Sequence, residues 1–389
     1  MFFFDATHTS HTRAQTGIQR VTRSLFAALG RLSPVTAVCH DPYLRAWRPL
    51  DAGELDHLRP GRSSSGSRGA KWPLHQRLAS HVRRLAGAKP ALPAADGLVC
   101  PELFSAATGA HLPEILGAVR GPRVAIFYDA IALKFPELTP RGTVARFPAY
   151  LRELLVFDGI AAISEDSAAS LRDYWRWLGV TDTPPVHAIP LAVDGPAATV
   201  LDHPAPARPR LLCVCTIEGR KNHLALLEAC ETLWREGLDF ELQLIGLARP
   251  DTAGAALARI KDLEQAGRRL LFDGSVPDAE LRAAYGRCSF TIYPSLIEGF
   301  GMPVLESLQF GKPCVCSARG ALGESAQGGG CVPLDSVDAA SLAAAIRRLL
   351  ENPAEVAALG AAARARTFPT WAGWAGDLTA WMHTVSRRG

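Results

Sequence analysis

Tyr293-Pro294-Ser295-Leu296-Ile297-Glu298-Gly299-Phe300-Gly301-Met302-Pro303-Val304-Leu305-Glu306 reads as a passage out of a strand, through a turn with two glycines, and into a helix. Gly299 and Gly301 let the backbone approach a ligand closely, and Pro303 suits a first helical turn. The amides exposed at the start of such a helix, from Phe300, Met302 and Val304 with the two glycines, form an anion site. Glu298 lies in the turn and Glu306 about one helical turn further in. Carboxylates only accept hydrogen bonds and can engage two neighbouring hydroxyls of a sugar or ribose. An ordinary strand-to-helix turn with two surface glutamates is the plainer reading, but it leaves the S-x-x-E-G-F-G-x-P-x-x-E pattern unexplained.

Working outward, the same strand-then-helix alternation fills the second half. Leu211–Cys215, Glu241–Gly246, Arg269–Phe272 and Ser289–Pro294 read as strands, each followed by a helical pattern. The first of these helices, with Leu226, Leu227, Cys230, Leu233 and Trp234 on one stripe, is expected to be capped by Asn222 and ended by Gly237. In the first half Val124–Tyr128, Gly159–Ile163 and Val186–Ile189 read as strands, with a helix over Ser167–Trp177. The chain is therefore α/β with two doubly wound sheets.

The expected domains are 1–195 and 211–368, joined by the proline-rich linker 196–210 (LDHPAPARPR covers 201–210). A last helix over 369–389, with Trp371, Trp374, Leu378 and Trp381 on one stripe and Thr370 as its cap, is expected to cross back to the first domain. Residues 61–69 contain no hydrophobic residue and are expected to form a mobile loop.

Composition agrees with this plan and excludes other classes. At roughly 150 residues per domain, 389 residues suit two domains, and 48% apolar with 21% charged residues excludes a disordered or fibrous chain. The mean hydropathy is +0.07, and no apolar run reaches the ~18 residues of a membrane span. The opening Met1-Phe2-Phe3-Phe4 meets Asp5 before it could serve as a signal-peptide core, so a cytoplasmic protein is expected. The nine cysteines contain no Cys-x-x-Cys pair, and Cys213/Cys215 and Cys314/Cys316 sit in apolar runs as small hydrophobes. A metal site is not expected: there is no Asp-x-Asp, and the histidines form no convincing ligand pair.

A formal charge of +4 is too small to suggest nucleic acid, but it is unevenly placed. Residues 41–90 hold ten Arg/Lys against four acids, leaving the remainder slightly negative. Within that segment Leu74, Leu78, Val82 and Leu85 fall on one helical stripe. The first reading is a core-facing helix with solvated charges; the cationic surplus keeps open a peripheral contact with the cytoplasmic face of the inner membrane.

Arg220 and Lys221 follow a strand and precede a helix, so two cations and a helix N-terminus converge where a pyrophosphate would fit. A solvated Arg-Lys pair is the alternative. Together with the Glu298/Glu306 string, the segment Cys215-Thr216-Ile217-Glu218-Gly219-Arg220-Lys221-Asn222 and the segment Phe272–Val276 resemble retaining GT-B glycosyltransferases of family 4, the E-x7-E group. Cys215 stands where that family has glycine.

The resemblance implies two Rossmann-like domains facing each other across a cleft, the first binding acceptor and the second the donor. It implies that Glu298 orients the donor sugar, Glu306 the ribose, and Arg220 with Lys221 the diphosphate. Thr216, and Val276 in the base loop, would be further donor contacts.

In the first half Asp5-Ala6-Thr7 with Thr16-Gly17-Ile18-Gln19-Arg20-Val21 resembles the family's glycine-containing loop, making Gly17 and Arg20 candidates. Tyr128-Asp129 resembles its His-Asp segment, with Tyr128 in place of the histidine and Asp129 carried over as catalytic. Ser164 would either face the same cleft or cap the helix after it.

The implied reaction is metal-independent hexose transfer from a nucleotide diphosphate sugar with retention, by front-face attack, to a glycan or polyprenyl-linked saccharide. The Thr16–Val21 string and Pro190–Asp194 look most like bacterial mannosyl- or rhamnosyl-type enzymes of polysaccharide assembly, which makes GDP-mannose the first donor. The rival is a nucleotide-sugar binder or epimerase on the same fold.

Overall fold

The computed structural model describes residues 1–14, 17–59, 69–87, 90–193 and 208–388. They divide into two compact units, Met1–Leu191 with Trp371–Gly389, and Ala192–Thr370. The linker expected over 196–210 lies outside the described residues as far as 207, and so do 61–68 of the Ser/Gly loop, together with Thr16 and Asp194.

The first unit holds β1 (Phe2–Asp5), β2 (Val35–Asp41), β3 (Ala46–Pro49), β4 (Gly97–Cys100), β5 (Arg123–Phe127), β6 (Gly159–Ala162) and β7 (Val186–Ala188). They lie in the order β3-β2-β1-β4-β5-β6-β7. Among the described residues of this unit only the β2–β3 pair at the edge is antiparallel. Strands such as Phe2–Asp5 and Arg123–Phe127 are buried along their whole length, as strands covered on both faces require. The helix Trp371–Met382 belongs to this unit: Trp374 Nε1 donates to the Ile189 carbonyl at 2.9 Å. Gly159 is needed beneath it, because a Cβ there would stand 2.8 Å from the Trp381 ring.

The second unit holds β8 (Arg210–Val214), β9 (Glu241–Ile245), β10 (Leu270–Phe272), β11 (Phe290–Tyr293), β12 (Cys314–Ser317) and β13 (Cys331–Leu334). Their order, β10-β9-β8-β11-β12-β13, is wholly parallel. In order of appearance this is 3-2-1-4-5-6, the doubly wound arrangement in which the winding reverses between the first and fourth strands. Alternation along β8 sends Leu211 and Cys213 into one apolar cluster with Leu226, Leu227 and Leu233, and Leu212 into another with Ile245 and Tyr285. Ligands bind such sheets beyond the strand ends at the reversal, here the segments following β8 and β11.

One sequence expectation is overturned. The helix Leu74–Leu85 does not bury its apolar stripe: Leu74, Leu78, Val82 and Leu85 are 70%, 58%, 66% and 84% exposed. Its polar side holds it to the unit instead, with Ser80 Oγ donating to Asp41 Oδ2 at 2.7 Å and Gln76 Nε2 to Asp51 Oδ2 at 2.9 Å. Periodicity specifies a stripe but not which side faces the protein, and here Asp41 and Asp51 supply partners for the polar side. The basic surplus of this segment is not reduced by burial, because Arg48 is buried together with two acids. Arg48 is buried and bonded to Asp41 at 3.0 Å and to Glu54 at 2.6 Å.

Candidate functional site

The segment after β8 folds into a short turn, Gly219–Lys221, followed by the helix His223–Arg235. Asn222 makes the corner with φ 56° and ψ 34°. It does not cap the helix with its side chain, as the sequence suggested, because its Nδ2 donates to the Val337 carbonyl at 2.8 Å. The segment after β11 runs from Pro294 to Gly301 and enters the helix Met302–Gln309. Gly301 has φ 106°, and a Cβ there would stand 2.8 Å from Leu322 Cδ2. No side chain caps this helix; Pro303 in its first turn has no N–H, and the Val304 amide donates to the Gly301 carbonyl at 3.0 Å.

The two segments meet through a compact set of charges. Arg220 Nη1 donates to Glu298 Oε2 at 2.7 Å, and its Nε pairs with Glu218 at 2.8 Å. Lys221 Nζ donates to the other oxygen of Glu298 and, at 2.5 Å, to the Tyr293 hydroxyl. Tyr293 Oη and Ser295 Oγ also donate to Glu298 Oε1, at 2.9 and 2.5 Å. Lys221 and Tyr293 are buried. Burial alone would push the Glu298 carboxyl up, but Lys221 and Arg220 outweigh it and hold the group down to about 2. Burial would likewise lower the Arg220 guanidinium, yet Glu298 and Glu218 raise it above its ordinary value.

Three of the four principal residues thus form one cluster. Glu306 lies on the helix Met302–Gln309, where the Tyr285 hydroxyl donates to it at 3.2 Å. Tyr285 is buried and stacks on Phe310, ring centroids 5.1 Å apart. Val276 packs half-buried against the same small cluster, so the base-loop and Glu306 assignments share one apolar support. Phe300 is buried, its carbonyl accepting from Ser325 Oγ at 2.7 Å; Met302 and Pro303 are half-buried at the helix start, and Val304 is buried. Thr216 follows β8 immediately before Ile217, which bridges to Ala248.

In the first unit the winding reverses between β1 and β4. At the end of β1 and just beyond β4 lie two buried carboxylates, Asp5 and Glu102, that sequence reading left without a role. Glu102 accepts from the backbone amides of His8 and Thr9 at 2.7 and 2.8 Å. Asp5 accepts from Thr7 Oγ1 at 2.6 Å. Burial, and then the nearby Glu102, push the Asp5 carboxyl up to about 7. Gly17 and Arg20 begin the helix Gly17–Leu32, and Gln19 beside them meets His8 Nδ1 at 3.2 Å.

Asp129 follows β5 and accepts from the Ile131 amide at 3.0 Å. The Tyr128 hydroxyl is engaged by the Pro101 carbonyl at 2.7 Å, and the Tyr128 carbonyl accepts from Ser167 Oγ at 2.7 Å. Ser164 caps the helix Glu165–Trp177, its Oγ accepting from the Ser167 amide at 3.1 Å.

Sequence reading missed Tyr293, Ser295 and Glu218 as partners of the cluster. Their signal was position alone, each standing at or just beyond a strand end.

Comparison with known proteins follows the same division. Residues 203–366 match the family "Glycosyl transferases group 1". A serotype-specific mannosyltransferase WbdA of Escherichia coli is 26% identical over 329 residues, which is 79% of this chain and 37% of that protein. The chain spans little more than a third of the length of the first curated relatives it matches. Among solved structures, a sucrose-phosphate synthase from Thermosynechococcus elongatus superposes with a TM-score of 0.66 at 21% identity, covering 99% of both chains. HepE of Anabaena, in complex with UDP and glucose, superposes with a TM-score of 0.67 at 15% identity, covering 98% of this chain and 99% of that one. The fold is GT-B.

Proposed function

We propose that this chain, a GT-B protein whose residues 203–366 match the group 1 glycosyl transferase family, transfers a hexose from a nucleotide diphosphate sugar to a saccharide acceptor in bacterial surface polysaccharide assembly. The observation that carries the reading is the convergence of Arg220, Lys221 and Glu298 beyond β8 and β11, at the reversal of a doubly wound sheet. Without ligand, Glu298 supplies the negative charge these cations require. With donor bound, the diphosphate takes that place, and the carboxylate turns to the sugar hydroxyls. Glu306 then holds the ribose near the Val276 loop.

As the anomeric bond breaks, charge grows on the leaving phosphate. Arg220, Lys221 and the amides before Val304 stabilise it without reorganisation. No carboxylate is assigned as glycosyl nucleophile. The departing oxygen takes the acceptor's proton, the anomeric configuration is retained, and no metal is required, as in the family 4 enzymes the sequence resembles. Asp129 and the segments beyond β1 and β4 serve the acceptor. Mannose, carried by GDP, is the first candidate donor, because the WbdA relatives are named mannosyltransferases.

A panel of GDP-, UDP-, dTDP- and ADP-sugars, each incubated with purified protein, tests this. One donor should be hydrolysed slowly without acceptor, and faster with a saccharide acceptor. Binding without any cleavage would favour a nucleotide-sugar binder, and interconversion of the free sugar nucleotide an epimerase.

The helix Leu74–Leu85 suits an acceptor carried on a polyprenyl lipid. Its outward leucines, with Lys71, Arg77 and Arg83 exposed beside them, match an anionic bilayer surface. Co-sedimentation with anionic vesicles should fall about tenfold or more in a Leu78→Glu/Leu85→Glu variant, given ~1.5–3 kcal/mol per buried leucine. Equal sedimentation of the variant, or none by the parent, would remove the membrane from this reading.

A further inference from the structure

Behind the donor cluster, Cys213, Cys215 and His223 come together for a topological reason. Side chains two apart along β8 and its extension share one face of the sheet, and that face is covered by the helix His223–Arg235, packed through Leu226, Leu227 and Leu233. The first residue of that helix, His223, therefore returns over the two thiols. Cys213 and His223 are buried, and Cys215 is half-buried.

The three ligand atoms form a nearly regular triangle. Cys213 Sγ and Cys215 Sγ are 3.8 Å apart, and His223 Nε2 lies 3.4 Å from Cys215 Sγ and 3.9 Å from Cys213 Sγ. A tetrahedral zinc-class ion with metal–sulfur bonds of ~2.3 Å and metal–nitrogen bonds of ~2.0–2.1 Å requires sulfur–sulfur edges of about 3.8 Å and sulfur–nitrogen edges of about 3.5 Å. The protein thus presents one face of such a tetrahedron with little adjustment. Among the described residues the hydrogen-bond contacts of both thiols fall within this triangle, and His223 Nδ1 has no partner. The ring is consequently not tied to one tautomer, and Nε2 can turn its lone pair to a cation. Among the described residues no other group of three such side chains is set closely enough to hold a metal ion.

We infer that Cys213, Cys215 and His223 form a site for a soft divalent cation of the zinc class, with a fourth position open on the Cys215 side for water or a small anion. Binding displaces up to two thiol protons to solvent, and no electron transfer is involved. Two thiolates and an imidazole do not suit a magnesium-type ion, which takes oxygen ligands. The site is therefore distinct from any metal bridging a donor diphosphate, and it does not depend on the proposed transfer reaction.

Cobalt titration of the full chain, kept reduced by a phosphine, tests this without nucleotide or acceptor. The expected result is a thiolate-to-cobalt charge-transfer band with the visible bands of tetrahedral cobalt, saturating at one equivalent and bleached by zinc. A Cys331→Ser control should retain the bands. Cys215→Ser, at the half-exposed ligand, should lose them while its circular dichroism and melting stay those of the parent, and Cys213→Ser should behave alike. A folded parent without a charge-transfer band would overturn the inference, as would bands that persist in Cys215→Ser.

Discussion

Lys221→Ala is expected to lower sugar transfer by about 10²–10³-fold, the loss typical when one fixed stabiliser of developing charge is removed. The expectation rests on how Lys221 is held. Its ammonium is buried, donates to Tyr293 Oη and Glu298, and lies 4.9 Å from the centre of the Tyr293 ring. A cation placed this firmly needs no rearrangement of its own when negative charge appears on a leaving phosphate. The loss should appear in kcat as well as in donor KM, because Lys221 also holds the ground-state diphosphate while charge there is greatest in the transition state. Steady-state kinetics with matched melting curves check this, since removing one partner of a buried pair costs ~3–5 kcal/mol. Undiminished kcat in a folded variant would remove Lys221 from the chemistry.

Glu298→Gln separates the two duties given to that carboxylate. The variant keeps the shape and one accepting oxygen for Lys221, Tyr293 and Ser295, but it puts an NH2 donor where Oε2 accepts from Arg220 and no longer neutralises the two cations. Binding of a nucleoside diphosphate should therefore be undiminished. Preference between sugars should fall about 10–100-fold, as expected for loss of a charged hydrogen-bond acceptor worth ~1.5–3 kcal/mol. An equal loss of both would contradict the division of roles.

The same variant alters the acid limb of stability. Glu298 titrates at about 2 in the fold against an ordinary 4.5. Its folded value is depressed, so its contribution is complete above the ordinary value and is lost as pH falls from there through about 2. That contribution is on the order of 3 kcal/mol. Melting temperatures of the parent should fall across that window, and the glutamine variant should follow a flatter profile.

What the sequence made legible was what local chemistry punctuates. The Gly299/Gly301 turn with Pro303 marks a strand-to-helix junction by residue type, and the structure forms it with Gly301 at positive φ. Arg220 and Lys221 could likewise be placed because they lie between a recognisable strand and helix.

Partnerships across the fold were not legible. Glu102 reaches Thr9 from 93 residues away, and only the adjacency of β1 and β4 creates that meeting. His223 meets Cys213 and Cys215 because a strand of period two is followed by a helix that folds back over it. The helix Leu74–Leu85 misled for a different reason. An amphipathic stripe has the same spacing whether it faces a core or turns outward, and the deciding partners, Asp41 and Asp51, lie on other elements.

The central claim is that Arg220 and Lys221 grip a diphosphate that displaces Glu298. Calorimetric titration of parent and Lys221→Ala protein with a nucleoside diphosphate and with the corresponding nucleoside tests it most directly. The account predicts that the parent binds the diphosphate far more tightly than the nucleoside, and that the variant loses most of this difference while nucleoside affinity is retained. A parent that binds both equally, or a folded variant that keeps the full preference for diphosphate, would contradict it.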